Sequence, residues 1–203
     1  MKIAIIGHGN VGGTLAQNWA STGHEILVGA RKADEPKVQA LAELQNISVH
    51  SIPTAVAEAE TILVATPPQA AIQLTESWGD TSGKVIIDAT NAVRTKPDPY
   101  PTAYHAFREL TSGKVVKCFN TTGYENIQNP RYGEMSLDMY MAGDDEEGKA
   151  VARQLAKDAG FAECYDFGGA DKVVLLEQFA LSWINLAIMQ GMGRNIGFKL
   201  IRR

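Results

Sequence analysis

Residues 7–12 read Gly-His-Gly-Asn-Val-Gly, directly after the apolar run Lys2–Ile6 and directly before a segment of helical periodicity. A buried strand that ends in G-x-G-x-x-G and opens a helix at once is compatible with few folds. The first glycine allows the tight turn. The second leaves room for a pyrophosphate against the backbone, and the third lets the helix lie close on the strand. Free N–H groups in the first helical turn then face the anion. Gly7, His8, Gly9, Asn10, Val11 and Gly12 are therefore expected to cradle the pyrophosphate of a dinucleotide.

The rest of the chain alternates in the same rhythm. Apolar runs at 25–29, 48–50, 61–65, 85–88, 114–119, 138–142 and 161–166 read as strands. Helical spacing covers 11–22, 37–45, 54–59, 69–77, 103–110 and 145–159, the last with acidic residues in its first turn, as the helix dipole favours. The stretch 120–136 is polar, with glycine and proline, and is expected to be loop with at most one turn. Strands alternating with helices imply a Rossmann-type, doubly wound α/β domain with a mostly parallel sheet and right-handed crossovers. At 203 residues the chain suits one such domain plus an appendage. The expected division is residues 1–167 for the dinucleotide-binding domain and 168–203 for a short helical segment.

The end of the second strand bears on the choice of dinucleotide. NAD enzymes place Asp or Glu there to accept from the ribose 2′-OH. Here the strand ends Val28-Gly29-Ala30-Arg31-Lys32, with no carboxylate and two cations. The Arg31 fork, with Lys32 as a second charge, suits a 2′-phosphate, so the expected cofactor is NADP. In an open parallel sheet, ligands bind outside the carboxyl ends of the strands. That brings in Thr66, Pro67 and Pro68 after the fourth strand, Asn91 after the fifth and Asn120 after the sixth. Phe119 reads as either core or site. His105 is a candidate acid, although one histidine on a helix is more often structural. There is no metal-ligand spacing and no nucleophile motif.

Composition limits the partners. Nineteen Lys and Arg against 23 Asp and Glu give a formal net charge of −4, which offers no basic face to nucleic acid or to an anionic membrane. The N-terminus lacks a secretory pattern, so a cytoplasmic protein is expected. Cys118 and Cys164 sit in apolar runs and read as reduced core thiols. The segment 171–190 is apolar around nearly its whole circumference, yet Glu177, Gln178 and Asn185 argue against a membrane span. Such a helix must be covered on several sides. The expectation is a homodimer in which a partner's helix, or its 191–198 turn, closes the pocket near Asn120.

Beyond these readings, the chain resembles the NADP-dependent reductases of the deazaflavin coenzyme F-420. The resemblance is carried by the glycine loop, Gly29-Ala30-Arg31, Lys114-Val115-Val116-Lys117, Ala142-Gly143-Asp144-Asp145-Glu146 and the tail from Gln190 to Leu200. The run from Val115 to Thr121 is also similar to the cytosolic domain of the six-transmembrane metalloreductases. The resemblance implies NADP contacts at the glycine loop, Ala30, Arg31, the Thr66–Pro68 turn, Asn91 and the Cys118 region. It places a second ring cofactor beside Phe119 and Asn120. Two positions depart from that pattern: Ala30 stands where a Ser is common, and Asn120 stands where a His is found. The first removes one hydrogen bond to a 2′-phosphate; the second leaves FMN or FAD open as the acceptor beside a deazaflavin. The expected function is NADPH-dependent hydride transfer to such a small-molecule redox acceptor. A dehydrogenase of a small hydroxy acid or imine, and a non-enzymatic NADP(H) sensor, are the alternatives.

Overall fold

The computed structural model describes all 203 residues. Strand β1 (Lys2–Ile6) leads through the glycine turn into α1 (Asn10–Ser21). Then come β2 (Glu25–Gly29), α2 (Pro36–Ala42), β3 (Ile47–His50) and α3 (Ile52–Glu58). The next units are β4 (Thr61–Val64), α4 (Ala71–Thr75), β5 (Val85–Asp88), α5 (Ala103–Leu110), β6 (Lys114–Cys118) and α6 (Tyr124–Gln128). A small hairpin of β7 (Arg131–Tyr132) and β8 (Met135–Ser136) precedes β9 (Met139–Ala142) and α7 (Glu146–Asp158). β10 (Cys164–Asp166) and α8 (Val173–Ile184) complete the chain's elements, with a π-helical turn, Asn185–Met189, extending α8.

Eight strands form one sheet in the order β10-β9-β6-β5-β4-β1-β2-β3. The six strands from β3 to β6 are parallel throughout, as the alternation predicts. β9 runs antiparallel to β6, pairing Lys117 with Ala142 and Cys118 with Met141. A parallel pairing needs a long crossover. Between β6 and β9 the chain has only the five-residue α6 and the hairpin, and it comes back in the opposite direction. α6 and the hairpin lie within 120–136, which sequence reasoning treats as loop. α7 then carries the chain across to β10, parallel to β9.

Both faces of the sheet are covered, and side chains alternate between them. Ile3 and Ile5 pack beneath Leu15, Trp19 and Leu155 of α1 and α7. Ala4 and Ile6 pack with Val56, Phe107, Val173 and Leu176 of α3, α5 and α8 on the other face. The Trp19 indole N–H donates to the Leu155 carbonyl at 2.9 Å, tying α1 to α7. α7 starts as its sequence implies, with Asp145 accepting from Gly148 N–H at 2.7 Å and Glu146 and Glu147 following.

Residues beyond 167 share this second core. α8 buries Val173, Leu176, Glu177, Ala180 and Trp183. The tail returns over the domain, where Phe198 stacks on Phe179 with 4.6 Å between ring centroids. Asp138 accepts from Lys199 Nζ at 2.7 Å and from Leu200 N–H at 2.8 Å. By length and composition, residues 170–189 would suffice to cross a membrane, with a mean hydropathy of 1.4. In this fold, however, Glu177 on its inner side is ion-paired to the sheet. Its outer side presents Val174, Leu175, Ile188 and Met189 to solvent.

The glycine turn has the least space of any junction in the fold. A Cβ on Gly12 would stand 1.9 Å from the Gly7 carbonyl oxygen and 3.2 Å from the Ala65 Cβ. Backbone cannot yield as a side chain does, and overpacking costs about 1–3 kcal/mol or more. Gly12→Ala is expected to destabilise the protein by at least that amount, lowering the urea midpoint with little change in slope. An unchanged midpoint would show that α1 tolerates lifting off β1.

Candidate functional site

β1 and β4 lie side by side, but the chain leaves them in opposite directions. That switch point opens a crevice at the carboxyl ends of the strands. One wall is the turn Gly7–Gly9, and the other is Thr66 and Pro67 after β4. Gly7 has φ +102°, and a Cβ there would meet the Ala65 carbonyl oxygen at 2.6 Å. Gly9 faces open space, with nothing within 4 Å of the point where a Cβ would stand. The three glycines thus differ in surroundings: a tight turn at Gly7, open space at Gly9 and close packing at Gly12. α1 begins at Asn10, so its first free N–H groups border the opening.

The crevice widens into a groove of about 600 Å³ over β2. Gly29, Ala30 and Arg31 form its floor and rim, with Ser51–Pro53 at the start of α3 and Gln73 and Leu74 of α4 opposite. Ala30 is nearly buried and holds the floor through its N–H, which donates to the His50 carbonyl at 3.0 Å. Arg31 is exposed at the rim. Lys32 is exposed too but lies outside the lining. On the other side of the glycine turn, a smaller pocket of about 230 Å³ is lined by His8, Gly9, Asn10, Lys37 and Tyr124.

His8 stands between the two spaces. Its Nε2 lies 2.9 Å from Glu35 Oε2, and its Nδ1 is buried without a partner. That contact, followed by Lys32 and Arg31, lowers the pKa of Glu35 below the ordinary carboxylate value. Thr66 Oγ1 is likewise buried and unpartnered beside the turn. Native interiors seldom leave such atoms without a hydrogen bond unless a ligand or water completes them. These features fit the phosphates of a dinucleotide.

Not every expected residue reaches the groove. Val11 packs against the core beneath α1. Pro68 is buried at the start of a short 3-10 turn, while Pro67 stays exposed on the wall. Cys118 and Phe119 have no exposed surface, so neither offers a contact to a ligand in this conformation. Cys118 Sγ lies 3.9 Å from Cys164 Sγ; both thiols are free and buried, and burial pushes that of Cys118 up. Phe119 packs edge-on against Trp19, ring centroids 5.4 Å apart. It also sits at φ +65°, a region few bulky residues adopt. The turn it makes sends Asn120 towards Asn91. There the Asn91 amide donates to the Asn120 carbonyl at 2.9 Å, and the Asn120 amide donates back to Asn91 Oδ1 at 3.0 Å.

Beneath this pair lies a group that sequence reasoning does not anticipate. Lys117 Nζ donates to Asp88 Oδ2 at 2.9 Å, to Glu177 Oε1 at 2.7 Å and to the Thr90 carbonyl at 2.5 Å. One lysine within the apolar strand Val115–Phe119 and one glutamate within the apolar helix are the signals that could have revealed it. His105 lies nearby with Nδ1 at 2.8 Å from Thr102 Oγ1. Burial lowers its pKa below the ordinary imidazole value, and Arg108 lowers it further, against the pull of Glu177 and Asp88.

Comparison with known proteins agrees with this geometry. Residues 2–92 match the family model described as NADP oxidoreductase, coenzyme F420-dependent. Over 98% of both chains, the sequence is 27% identical to an F420-dependent NADP reductase of Methanothermobacter marburgensis. Against the M. thermautotrophicus reductase it is 28% identical over 98% of this chain and 94% of the other. A crystal structure from Arthrobacter sp. FB24, provisionally assigned as an F420-dependent NADP-reductase, superposes over the full length of both chains with a TM-score of 0.86 and 27% identity. A reductive aminase from Aspergillus terreus shares the fold at 20% identity and a TM-score of 0.70, but this chain spans only 62% of it. The glycine turn, the switch-point crevice and the full-length likeness agree: the chain is similar over its whole length to F420-dependent NADP reductases.

Proposed function

We propose that this protein is an NADPH-dependent oxidoreductase whose acceptor is a deazaflavin of the F420 type or a flavin. The observation that carries the choice of dinucleotide is Arg31 at the rim of the groove, where β2 ends without a carboxylate. In this reading Arg31 holds the 2′-phosphate from one side, with Lys32 adding charge at longer range. The adenine half lies over β2 between Ser51–Pro53 and Leu74, and the pyrophosphate lies on Gly7–Gly12. His8 Nδ1 and Thr66 Oγ1 then gain the partners they lack. The nicotinamide half points past Thr66 towards Asn91 and Asn120. NADPH supplies the hydride; the protein's task is to hold donor and acceptor rings in contact and exclude water. Residues 1–167 would carry the dinucleotide and 168–203 would wall off the acceptor.

Transfer between two rings needs little help from an acid, and the carboxylates at this end, Asp88 and Glu177, are buried and engaged by Lys117. His105→Ala should therefore change the turnover number by less than about tenfold, since general acid–base groups typically contribute 10²–10⁴. A thousandfold loss in a folded variant would reveal an acid.

A panel of NADPH-oxidation assays with deazaflavin, FMN and FAD separates this function from its alternatives. Turnover of a deazaflavin or flavin supports it. Binding of NADPH without turnover of any acceptor would point to a sensor instead. For cofactor choice, NADP(H) should bind at least about tenfold tighter than NAD(H), roughly 1.4 kcal/mol, and Arg31→Ala should erase most of the difference. Equal affinities in the unaltered protein would remove the basis for assigning NADP.

The exposed outer side of α8 completes the proposal. Val174, Leu175, Ile188, Met189 and Met192 are each about half exposed, and burying such side chains stabilises by about 1.5–3 kcal/mol each. A second copy of the chain, packed α8 against α8 about a two-fold axis, would cover them. Light scattering at micromolar concentration is expected to give the mass of a dimer. Leu175→Glu should shift it towards the 21.9 kDa of one chain. A monomer with full activity would exclude the arrangement.

A further inference from the structure

Lys117 and Asp88 form an ion pair with side chains fully buried, and Glu177 joins them at 7% exposure. Asp88 alone already balances the ammonium from within the sheet. A second carboxylate under these conditions is a surplus charge, and desolvating it is unfavourable unless both its oxygens are satisfied. They are satisfied by different parts of the molecule. Oε1 takes the Lys117 ammonium at 2.7 Å, and Oε2 takes the backbone N–H of Ala92 at 2.9 Å. Ala92 directly follows Asn91, and Asn91 is locked in the reciprocal amide pair with Asn120. Asp88 fixes the other end of the same loop by accepting from Thr90 N–H at 2.9 Å.

We propose that Glu177 is a positioning residue for the nicotinamide end of the groove. α8 reaches under the ends of β5 and β6 and, through this one carboxylate, holds loop 89–92 so that the half-buried Asn91, backed by the buried Asn120, presents a fixed edge to the cofactor. The helix that closes the fold thereby also sets the geometry of the redox end, while the adenine end over β2 is formed without it. This inference rests on the reading of the groove as an NADP site.

That division of the groove allows a test by calorimetry with two ligands, NADPH and adenosine 2′,5′-bisphosphate, the latter lacking the nicotinamide half. Two variants are informative. Glu177→Gln keeps the volume and leaves Lys117 paired with Asp88, but its amide turns an NH2 donor, in place of an acceptor, towards either Lys117 or the Ala92 N–H. Glu177→Asp keeps all three charges and draws the carboxylate back by one methylene, away from the Ala92 N–H. It decides the question even if the first variant fails to fold. Losing a hydrogen bond to a charged group should raise the Kd for NADPH by about tenfold or more. Adenosine 2′,5′-bisphosphate, bound at a distant site, should change by no more than about twofold. A parallel loss for both ligands would mean that Glu177 merely supports the fold and would overturn the proposal, as would unchanged NADPH binding in both variants. If the unaltered protein fails to bind adenosine 2′,5′-bisphosphate, the NADP reading itself is wrong, a result distinct from either.

Discussion

Lys117 is the residue on which the second half of the structure depends. It is fully buried, and all three of its donors are used: on β5, on the loop that follows, and on α8. Desolvating an ammonium and two carboxylates is expensive. The cost is offset only because the carboxylates also accept from the backbone N–H groups of Thr90 and Ala92. Removing one partner from such a group typically costs about 3–5 kcal/mol, a large part of the stability of a domain of this size. Packing of Val173 and Leu176 is non-directional, whereas the ion pair ties one point of α8, Glu177, to one point of β6.

A different constraint governs the first half. There the chain must bring the start of α1 close to β1 and β4, and backbone atoms, not side chains, set the limit. Gly12 faces the Gly7 carbonyl, and Gly7 faces the Ala65 carbonyl, so closely that neither tolerates a Cβ. The strained backbone of Phe119 plays a corresponding part at the other end of the crevice. Such a φ costs about 1–3 kcal/mol and persists only where the surroundings enforce it. Here the ring is clamped under Trp19, itself hydrogen-bonded to α7. The crevice is thus shaped by close backbone approach at the glycine turn and by a buried aromatic and a buried charge cluster at the other end.

Most of the fold was legible in the sequence because its signals are local. All eight strands of the large sheet appear as short apolar runs, and α1, α5 and α7 announce themselves by spacing and, for α7, by acidic residues in its first turn. The antiparallel turn of β9 was not legible, since the run 138–142 carries no mark of direction. α6 and the β7–β8 hairpin were missed because five- and two-residue elements have no measurable periodicity. The glycine turn and Arg31 stand where their spacing placed them. Cys118 and Phe119, however, lie in a run that stays buried through Thr121, and only the fold tells a buried strand end from an open one. Lys117 lies 29 residues from Asp88 and 60 from Glu177. Nothing short of the fold could join them, although each is a conspicuous charge in an apolar stretch.

α8 carries two demands at once. Its inner side delivers a carboxylate to the ends of β5 and β6, and its outer side carries Val174, Leu175, Ile188 and Met189. The longer reductive aminases that share this fold have additional chain beyond the region spanned here. In this fold one helix both carries the carboxylate that meets Lys117 and Ala92 and presents an apolar exterior. On the proposed dimer, force applied to the outer side of α8 would reach Ala92 through a single glutamate. The polar groups on the inner side of this largely apolar helix each have a partner: the Glu177 carboxylate takes Lys117 and the Ala92 N–H, and the Trp183 indole N–H donates to the Ile196 carbonyl at 2.7 Å.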